Sequence, residues 1–331
     1  RPRVSKVLVT GANGFLGSWL TRRLVEDGHE TYALVRKSSD LSELKGIHCQ
    51  LKFGDVTDLH SLLEAFPGMD TVFHLAGLIA YKKADRAQME RVNVEGTANV
   101  LEACRATAVR RLVHLSSVVA IGAGFTPLDI LNEDSPYNIA ELDLGYFETK
   151  HKAELLVKEA VQQNRIDAVI LNPSTVYGPG DARKGSRKTQ LKVAQGKFNY
   201  YPAGGVNVVA VQDVVDGIIS AWLKGRKGER YILAGDNLLI KDLFAMIASA
   251  AGVPAPEKEI PTGVFHFLGA LGDFLNMLGV STTLSRENAW SATLYHWFES
   301  SKAQRELDFK PRPSHIAITE SVQWMKDNGL L

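Results

Sequence analysis

The sequence predicts an α/β fold: a doubly wound parallel sheet with a smaller, mostly helical C-terminal substrate lobe. Three observations carry that reading. Short β-branched runs alternate with longer helical patterns through the first half of the chain, which is the rhythm of βαβ units. A glycine-rich turn follows the first apolar run directly and opens the first helical pattern. The 331 residues exceed what one hydrophobic core usually holds, so a large domain and a lobe sharing a cleft are expected.

The first strand is expected over 6–10 and the first helix over 15–26. Further strands are expected at 31–35, 48–53, 71–75, 111–115 and 167–171, six in all. Between them, 85–106 and 145–163 read as long uninterrupted helices, the second with Lys and Glu at helical spacing. After Pro173 the rhythm breaks at a Gly178-Pro179-Gly180 turn and a charged loop over 181–188. Segments 206–224 and 231–233 read as a return to the sheet. From 239 onward the pattern is mostly helical, with Pro254, Pro256, Pro261, Pro311 and Pro313 as breaks. The sheet domain is therefore expected over 1–176 plus 206–235, and the lobe over 177–205 plus 236–331.

Charge and cysteine usage exclude several function classes. With 38 basic and 37 acidic residues the net charge is +1, too small to imply a nucleic-acid partner or an anionic membrane surface. Cys49 and Cys104 are too few for a disulfide framework and lack metal-ligand spacing, so no metal site is expected and a reducing, cytoplasmic setting is. The first residues run into a strand without a secretory pattern. The most apolar stretch, 263–280, is interrupted by His266, Asp273 and Asn276. It reads as a buried or substrate-capping helix rather than a membrane segment. No zinc-ligand pattern, paired-carboxylate motif or nucleophile elbow is present.

The chemistry-bearing residues begin with Gly11-Ala12-Asn13-Gly14-Phe15-Leu16-Gly17. A tight turn, close approach of backbone to a pyrophosphate and helix-to-strand packing each require a residue without Cβ. The helix start then offers free N–H groups to phosphates. The spacing is G-x-x-G-x-x-G, and here the sequence resembles the extended short-chain dehydrogenase/reductase family, which implies a Rossmann-type fold. Gly54-Asp55-Val56-Thr57-Asp58 resembles that family's adenine-contacting segment. His74-Leu75-Ala76-Gly77 resembles its cofactor-lining turn, and Asn93-Val94-Glu95-Gly96-Thr97 its central-helix motif. Taken alone, Asp55 would read as a helix cap.

The cofactor is expected to be NADP(H), with NAD(H) as the alternative. An acidic residue closing the second strand would hold the ribose of NAD, whereas a basic one accommodates the 2′-phosphate of NADP. Here the strand ends in Val35-Arg36-Lys37-Ser38-Ser39, and Arg36 can fork onto a phosphate.

Of nine tyrosines, only Tyr146 has a lysine four residues on, Lys150. Reducing a carbonyl places negative charge on oxygen, and a tyrosine hydroxyl can supply the proton if a cation one helical turn away lowers its pKa. The fifth strand ends in Ser116-Ser117 at the carboxyl edge of the sheet, where ligands bind in doubly wound folds. The resemblance implies that Ser117, five residues before Gly122, is the catalytic serine beside Tyr146 and Lys150, with Ser116 as the alternative. It also implies that Asn172-Pro173-Ser174-Thr175-Val176 faces the nicotinamide, with Pro173 beside the ring and the backbone near Val176 bonding the carboxamide. The implied cofactor-binding set is Gly11, Asn13, Gly14, Phe15, Leu16, Arg36, Asp55, Val56, Leu75, Ala76, Gly77, Asn93, Ser116, Tyr146, Lys150, Asn172, Pro173 and Val176.

Within the family, Gly14-Phe15-Leu16-Gly17-Ser18-Trp19-Leu20, the Arg36 turn and the tail around 301–313 resemble the dihydroflavonol 4-reductase and 3β-hydroxysteroid dehydrogenase branch. The flavonoid enzymes carry Asn or Asp soon after the serine, and Val118 to Gly124 has no polar side chain, which argues against a flavonoid. The expected substrate is an apolar ketone, aldehyde or alcohol. The alternatives are an NAD-dependent nucleotide-sugar epimerase, with Arg183, Lys184, Arg187 and Lys188 meeting a sugar diphosphate, and a non-catalytic cofactor-sensing module. A dehydratase is disfavoured by Val118 and Val119 where that subgroup has Asp and Glu. The resemblance further implies a homodimer through the two long helices.

Overall fold

The computed structural model describes residues 3–183 and 187–331. Its first half runs β1 (Lys6–Thr10), α1 (Phe15–Glu26), β2 (Glu30–Val35), β3 (Gln50–Phe53), α2 (Leu59–Ala65) and β4 (Thr71–His74). After β4 come α3 (Arg86–Met89), α4 (Gly96–Ala106), β5 (Arg111–Leu115), α5 (Gly145–Gln162), β6 (Ala168–Pro173) and β7 (Thr175–Tyr177). The second half continues α6 (Lys188–Ala194), β8 (Tyr200–Tyr201), β9 (Gly205–Ala210), α7 (Val211–Lys224), β10 (Arg230–Leu233) and β11 (Asp236–Leu239). It closes with α8 (Ile240–Ala251), β12 (Lys258–Glu259), α9 (Thr262–Met277), α10 (Arg286–Thr293), α11 (Ser301–Leu307) and α12 (Ser314–Asp327).

One parallel sheet has the order β10-β6-β5-β4-β1-β2-β3. Its strands are apolar on both faces, as helices on both sides require. One core joins Val7, Val9, Phe73 and Leu171 to α1, α7 and α11. The other joins Leu8, Val72, Leu112 and Ile170 to α2, α4 and α5. The chain leaves β1 toward β2 on one side and returns through β4 on the other. The turn after β1 therefore lies at the topological switch point, the crevice where such sheets bind ligands.

The seventh strand, β10, is the return to the sheet read at 231–233 and adds an edge beside β6. Elsewhere the structure departs from the sequence reading. Segment 206–210 joins β7 and β11 in a separate three-stranded sheet instead of the main one. The helix expected over 85–106 is interrupted by a π-helical turn at Glu90–Glu95. Side-chain periodicity alone does not reveal that local change of pitch.

Of the two readings of 263–280, a buried or a substrate-capping helix, burial is not what α9 shows. Only Gly269 and Gly272 are buried, and they seat α9 on the segment leading into α10. Phe267 is 67% and Met277 73% exposed. Among the described residues, no helix is long and apolar enough to cross a membrane.

The join of β1 to α1 is the tightest in the fold. A Cβ on Gly17 would stand 2.0 Å from the Gly11 carbonyl oxygen. Replacing a helical glycine by alanine ordinarily gains stability by about 1 kcal/mol. At Gly17 the clash reverses the sign, and Gly17→Ala is expected to lose about 1–3 kcal/mol of unfolding free energy in a urea titration. A gain would show that the turn can relax.

Candidate active site

The glycine turn builds a cradle from backbone. Gly11 has φ +67°, and a Cβ there would meet the Ala76 amide nitrogen at 2.8 Å. Gly14 starts α1 with no side chain capping it. The N–H groups of the first turn point at the crevice, an arrangement that suits a phosphate. Phe15 is half-buried and Leu16 packs on the core beneath. Asn13 reaches across to the Asp40 carbonyl at 3.3 Å.

At the end of β2, Arg36 is exposed and its N–H donates to Ser39 Oγ at 2.9 Å. Arg36 follows β2, which neighbours β1, so it lies at the same sheet edge as the glycine turn. Asp55 does not cap α2, which starts after Asp58. Its Oδ1 accepts from the Thr57 amide at 2.9 Å and the Thr57 hydroxyl at 2.8 Å, a local turn. Val56 is buried against Gly96, where a Cβ would come within 2.9 Å of Val56 Cγ2.

Thr10 closes β1 onto β4. Its Oγ1 accepts from the Leu75 and Ala76 amides at 3.0 and 3.1 Å and lies 2.8 Å from His74 Nδ1. Thr97 donates to the Asn93 carbonyl, so its oxygen is left to accept from His74 Nε2 at 3.1 Å. These directions assign His74 as the neutral Nε2–H tautomer. Complete burial holds its pKa down to about 3, with the Lys150 cation adding to the effect. His114 is neutral for the same reasons.

Asn93, on the π-helical turn, grips the loop after β4. Its Oδ1 accepts from the Leu78 amide at 2.8 Å, while Nδ2 donates to the Leu78 carbonyl and to Thr149 on α5. Gly77 is held between Asn93 and Lys150, with the lysine nitrogen 3.8 Å from where its Cβ would stand.

Tyr146, Lys150 and Ser117 converge at this edge. The Tyr146 phenol faces the Ser117 side chain. Ser117 Oγ accepts from the Val119 amide at 3.3 Å. Lys150 is buried one turn along α5 and donates to the Leu115 carbonyl at 3.2 Å. Burial pulls its pKa down to about 8 against the opposing field of Glu154. The Tyr146 phenol is pushed up by burial and by Tyr81, with Ser117 opposing. This corrects the expectation that Lys150 lowers the phenol: in the protein's own environment desolvation sets the sign, and Tyr146 rests protonated.

Ser116 points into the protein, buried, with no hydrogen-bond partner for its hydroxyl, and Asn172 Oδ1 is likewise unpaired. Pro173 ends β6 beside them. The Val176 carbonyl is already taken by the Arg187 guanidinium, which stacks over Tyr177. Arg187, in the charged loop expected over 181–188, therefore turns inward. Arg183 pairs with Glu43 at 3.5 Å, and Lys184 lies outside the described residues.

Sequence reasoning picked out Trp290 as a sign of a greasy substrate or lid and missed Tyr81 and Glu287. Tyr81 stands edge-on to Tyr146 at 6.4 Å. Glu287 accepts from the Gly145 amide, and Trp290 packs on the same apolar cluster as Tyr146, so α10 buttresses the start of α5. None of these has a local motif. They meet only because the lobe folds back over the sheet edge.

Residues 7–234 match the NAD dependent epimerase/dehydratase family. The chain belongs to this family. Within it the chain is an extended short-chain dehydrogenase/reductase and an NAD(P)-dependent oxidoreductase. Similar proteins include sterol demethylase protein B of Methylococcus capsulatus, 31% identical over 98% of this chain and 99% of the relative. A putative dihydroflavonol 4-reductase of Synechocystis is 31% identical over 97% and 94%. The crystal structure of gox2253 superposes with a TM-score of 0.87 at 32% identity, covering 99% of each chain. A nucleoside-diphosphate-sugar epimerase of Pseudomonas aeruginosa shares the fold at 24% identity and TM-score 0.79, covering 99% of each chain.

Because His74 is buried neutral, folding excludes a proton that the unfolded chain takes up below about 6.5. The stability contributed is full above that pH and lost as pH falls toward about 3. The His74 share is expected to cost about 1.4 kcal/mol per pH unit below 6. Urea midpoints should fall between pH 7 and pH 5, while 15N spectra keep His74 in the Nε2–H form. A protonated His74 in folded protein at pH 5 would contradict the assignment.

Proposed function

We propose that this enzyme is an NADP(H)-dependent reductase of an apolar ketone or aldehyde, with Ser117, Tyr146 and Lys150 as the catalytic residues. The observation that carries this reading is the convergence of Tyr146 and Ser117 at the carboxyl edge of the sheet, with the buried Lys150 one helical turn from Tyr146 and bonded to the Leu115 carbonyl. A neutral phenol is the state that donates a proton, and a carbonyl gains one on reduction. An epimerase cycle begins with the opposite demand, a tyrosinate that removes a proton, and burial of Tyr146 works against it.

The residues fit a nicotinamide dinucleotide. A Cβ at Gly11 or Gly17 would fill the cradle, the start of α1 is uncapped, and Ser116 Oγ and Asn172 Oδ1 are buried polar atoms without partners. Gly11, Gly14 and Phe15 would hold the pyrophosphate, Arg36 the 2′-phosphate, and Asp55 and Val56 the adenine. Leu75, Ala76 and Gly77 would line the dinucleotide, and Pro173 and Val176 the ring. The bound nicotinamide supplies the hydride. Ser117 and Tyr146 hold the substrate oxygen, Tyr146 Oη gives it the proton, and the Lys150 ammonium stabilises the phenolate left behind. Tyr81 stands edge-on to Tyr146, and Leu142 and Trp290 pack with Tyr146 on one apolar cluster, surroundings suited to an apolar substrate. Relatives named as a dihydroflavonol reductase, a 2-alkyl-3-oxoalkanoate reductase and a farnesyl-quinoline-oxide ketoreductase support reduction of such carbonyls.

The test is NADPH oxidation across a panel of apolar ketones and aldehydes. Tyr146→Phe is expected to cut turnover by about 100-fold or more while NADPH affinity stays within about threefold; retained turnover would sink the triad. Arg36→Ala is expected to weaken NADPH by about 10-fold or more and NADH by less than about twofold. Equal losses in a fluorescence titration would remove Arg36 from the phosphate site. Nicotinamide released from the denatured protein in near-stoichiometric amount as NAD would favour the epimerase reading.

A further inference from the structure

The far half of α5 carries a carboxylate that this mechanism leaves unused. Glu154 lies one turn beyond Lys150 on the same helix face. Its side chain is 1% exposed. Oε2 pairs with the Arg230 guanidinium of β10 at 3.1 Å. Oε1 accepts from Asn172 Nδ2 at 3.0 Å, and the same Nδ2 donates to the Ser117 carbonyl at 3.0 Å. Arg230 is fixed in turn by two bonds to the Glu133 carbonyl. Four separate elements therefore meet at one carboxylate beneath the triad.

A buried ion pair stabilises a fold poorly in comparison with apolar packing, so its presence here calls for another reason. Lys150 supplies one. It is a buried cation, and Glu154 is the acidic group whose field acts on it. Glu133, whose carboxylate accepts from the Ile232 amide of β10, lies on the far side of Arg230 and is not among the charges acting on Lys150, and the remaining groups facing this region are neutral or basic. His74 on β4 and His114 on β5 are neutral, Tyr146 on α5 is protonated, and Lys158 on α5 and Arg230 on β10 are basic.

We propose that Glu154 is a positioning residue of the active site: it keeps the Lys150 side chain as an ammonium through the field along α5. Through Asn172, it also fixes the backbone from which the Ser117 hydroxyl projects. The inference rests on the reading of Ser117, Tyr146 and Lys150 as the triad, but the titration that tests it needs no turnover.

The protein is labelled with 13Cε lysine, the Lys150 signal is identified by its loss in Lys150→Met, and its midpoint is followed with pH. The wild-type midpoint is expected near 8. Glu154→Gln keeps an acceptor for Asn172 and removes the charge, and should lower the midpoint by about one pH unit or more. Glu154→Asp should restore most of the difference. Glu148→Gln, which alters a carboxylate bonded to Tyr137 on the same helix, should leave the midpoint in place. Because Glu154→Gln strands the buried Arg230, the double variant Glu154→Gln/Arg230→Gln provides a second folded form with both charges removed. A Lys150 midpoint unchanged in either folded variant overturns the proposal. If the midpoint falls but Tyr146→Phe retains turnover, Glu154 sets the lysine charge and the triad assignment is what fails. In an active enzyme, the alkaline limb of the turnover profile should move to lower pH in Glu154→Gln, which a loss of stability alone would not produce.

Discussion

The site depends on one constraint, the closure of β1 onto β4 at the switch point of the sheet. Thr10 performs it with a single hydroxyl that accepts from two amides of the next loop and lies against His74. His74 passes the constraint to Thr97 and so to the central helix. Gly11 must then approach Ala76 closely, which a side chain would prevent. The dinucleotide cradle is thus set by hydrogen bonds among buried neutral groups, which hold position without the desolvation cost of ions.

On the other side of the crevice the construction is charged. Lys150, Glu154 and Arg230 lie in sequence beneath the sheet edge, and Asn172 links the carboxylate to the Ser117 carbonyl. A buried lysine near neutral pH requires a balance between desolvation and an opposing charge, and the structure provides both terms within one helix and one neighbouring strand. The two halves meet at Gly77, which lies against both Asn93 and the Lys150 side chain.

How legible this was from the sequence follows the range of the interactions. The strands at 6–10 and 111–115 and the helix at 15–26 match the structure residue for residue, because apolar period and glycine spacing are local signals. The edge strand β10 was read at 231–233 as a return to the sheet, but its place beside β6 is a long-range pairing that no local signal gives. The π-helical turn at Asn93 left no trace in the periodicity. Tyr81, Glu287 and Glu154 were unreadable as site residues, since each gains its meaning from partners far along the chain. The direction of the Tyr146 shift was misjudged for a related reason: spacing reports that a lysine is near, whereas burial, which dominates here, is a property of the assembled cleft.

That resting state bears on the direction of the chemistry. A cleft that holds a tyrosine protonated and a lysine near neutrality stores a proton at the oxygen where a carbonyl would bind. Taking a proton from an alcohol would first require the phenol to ionise against the same desolvation that raises its pKa. In the proposed reductase, the burial that suits an apolar substrate is the same burial that keeps Tyr146 protonated. A wetter cleft would weaken both together, because the water that stabilises a phenolate also competes with an apolar ligand for the same surface.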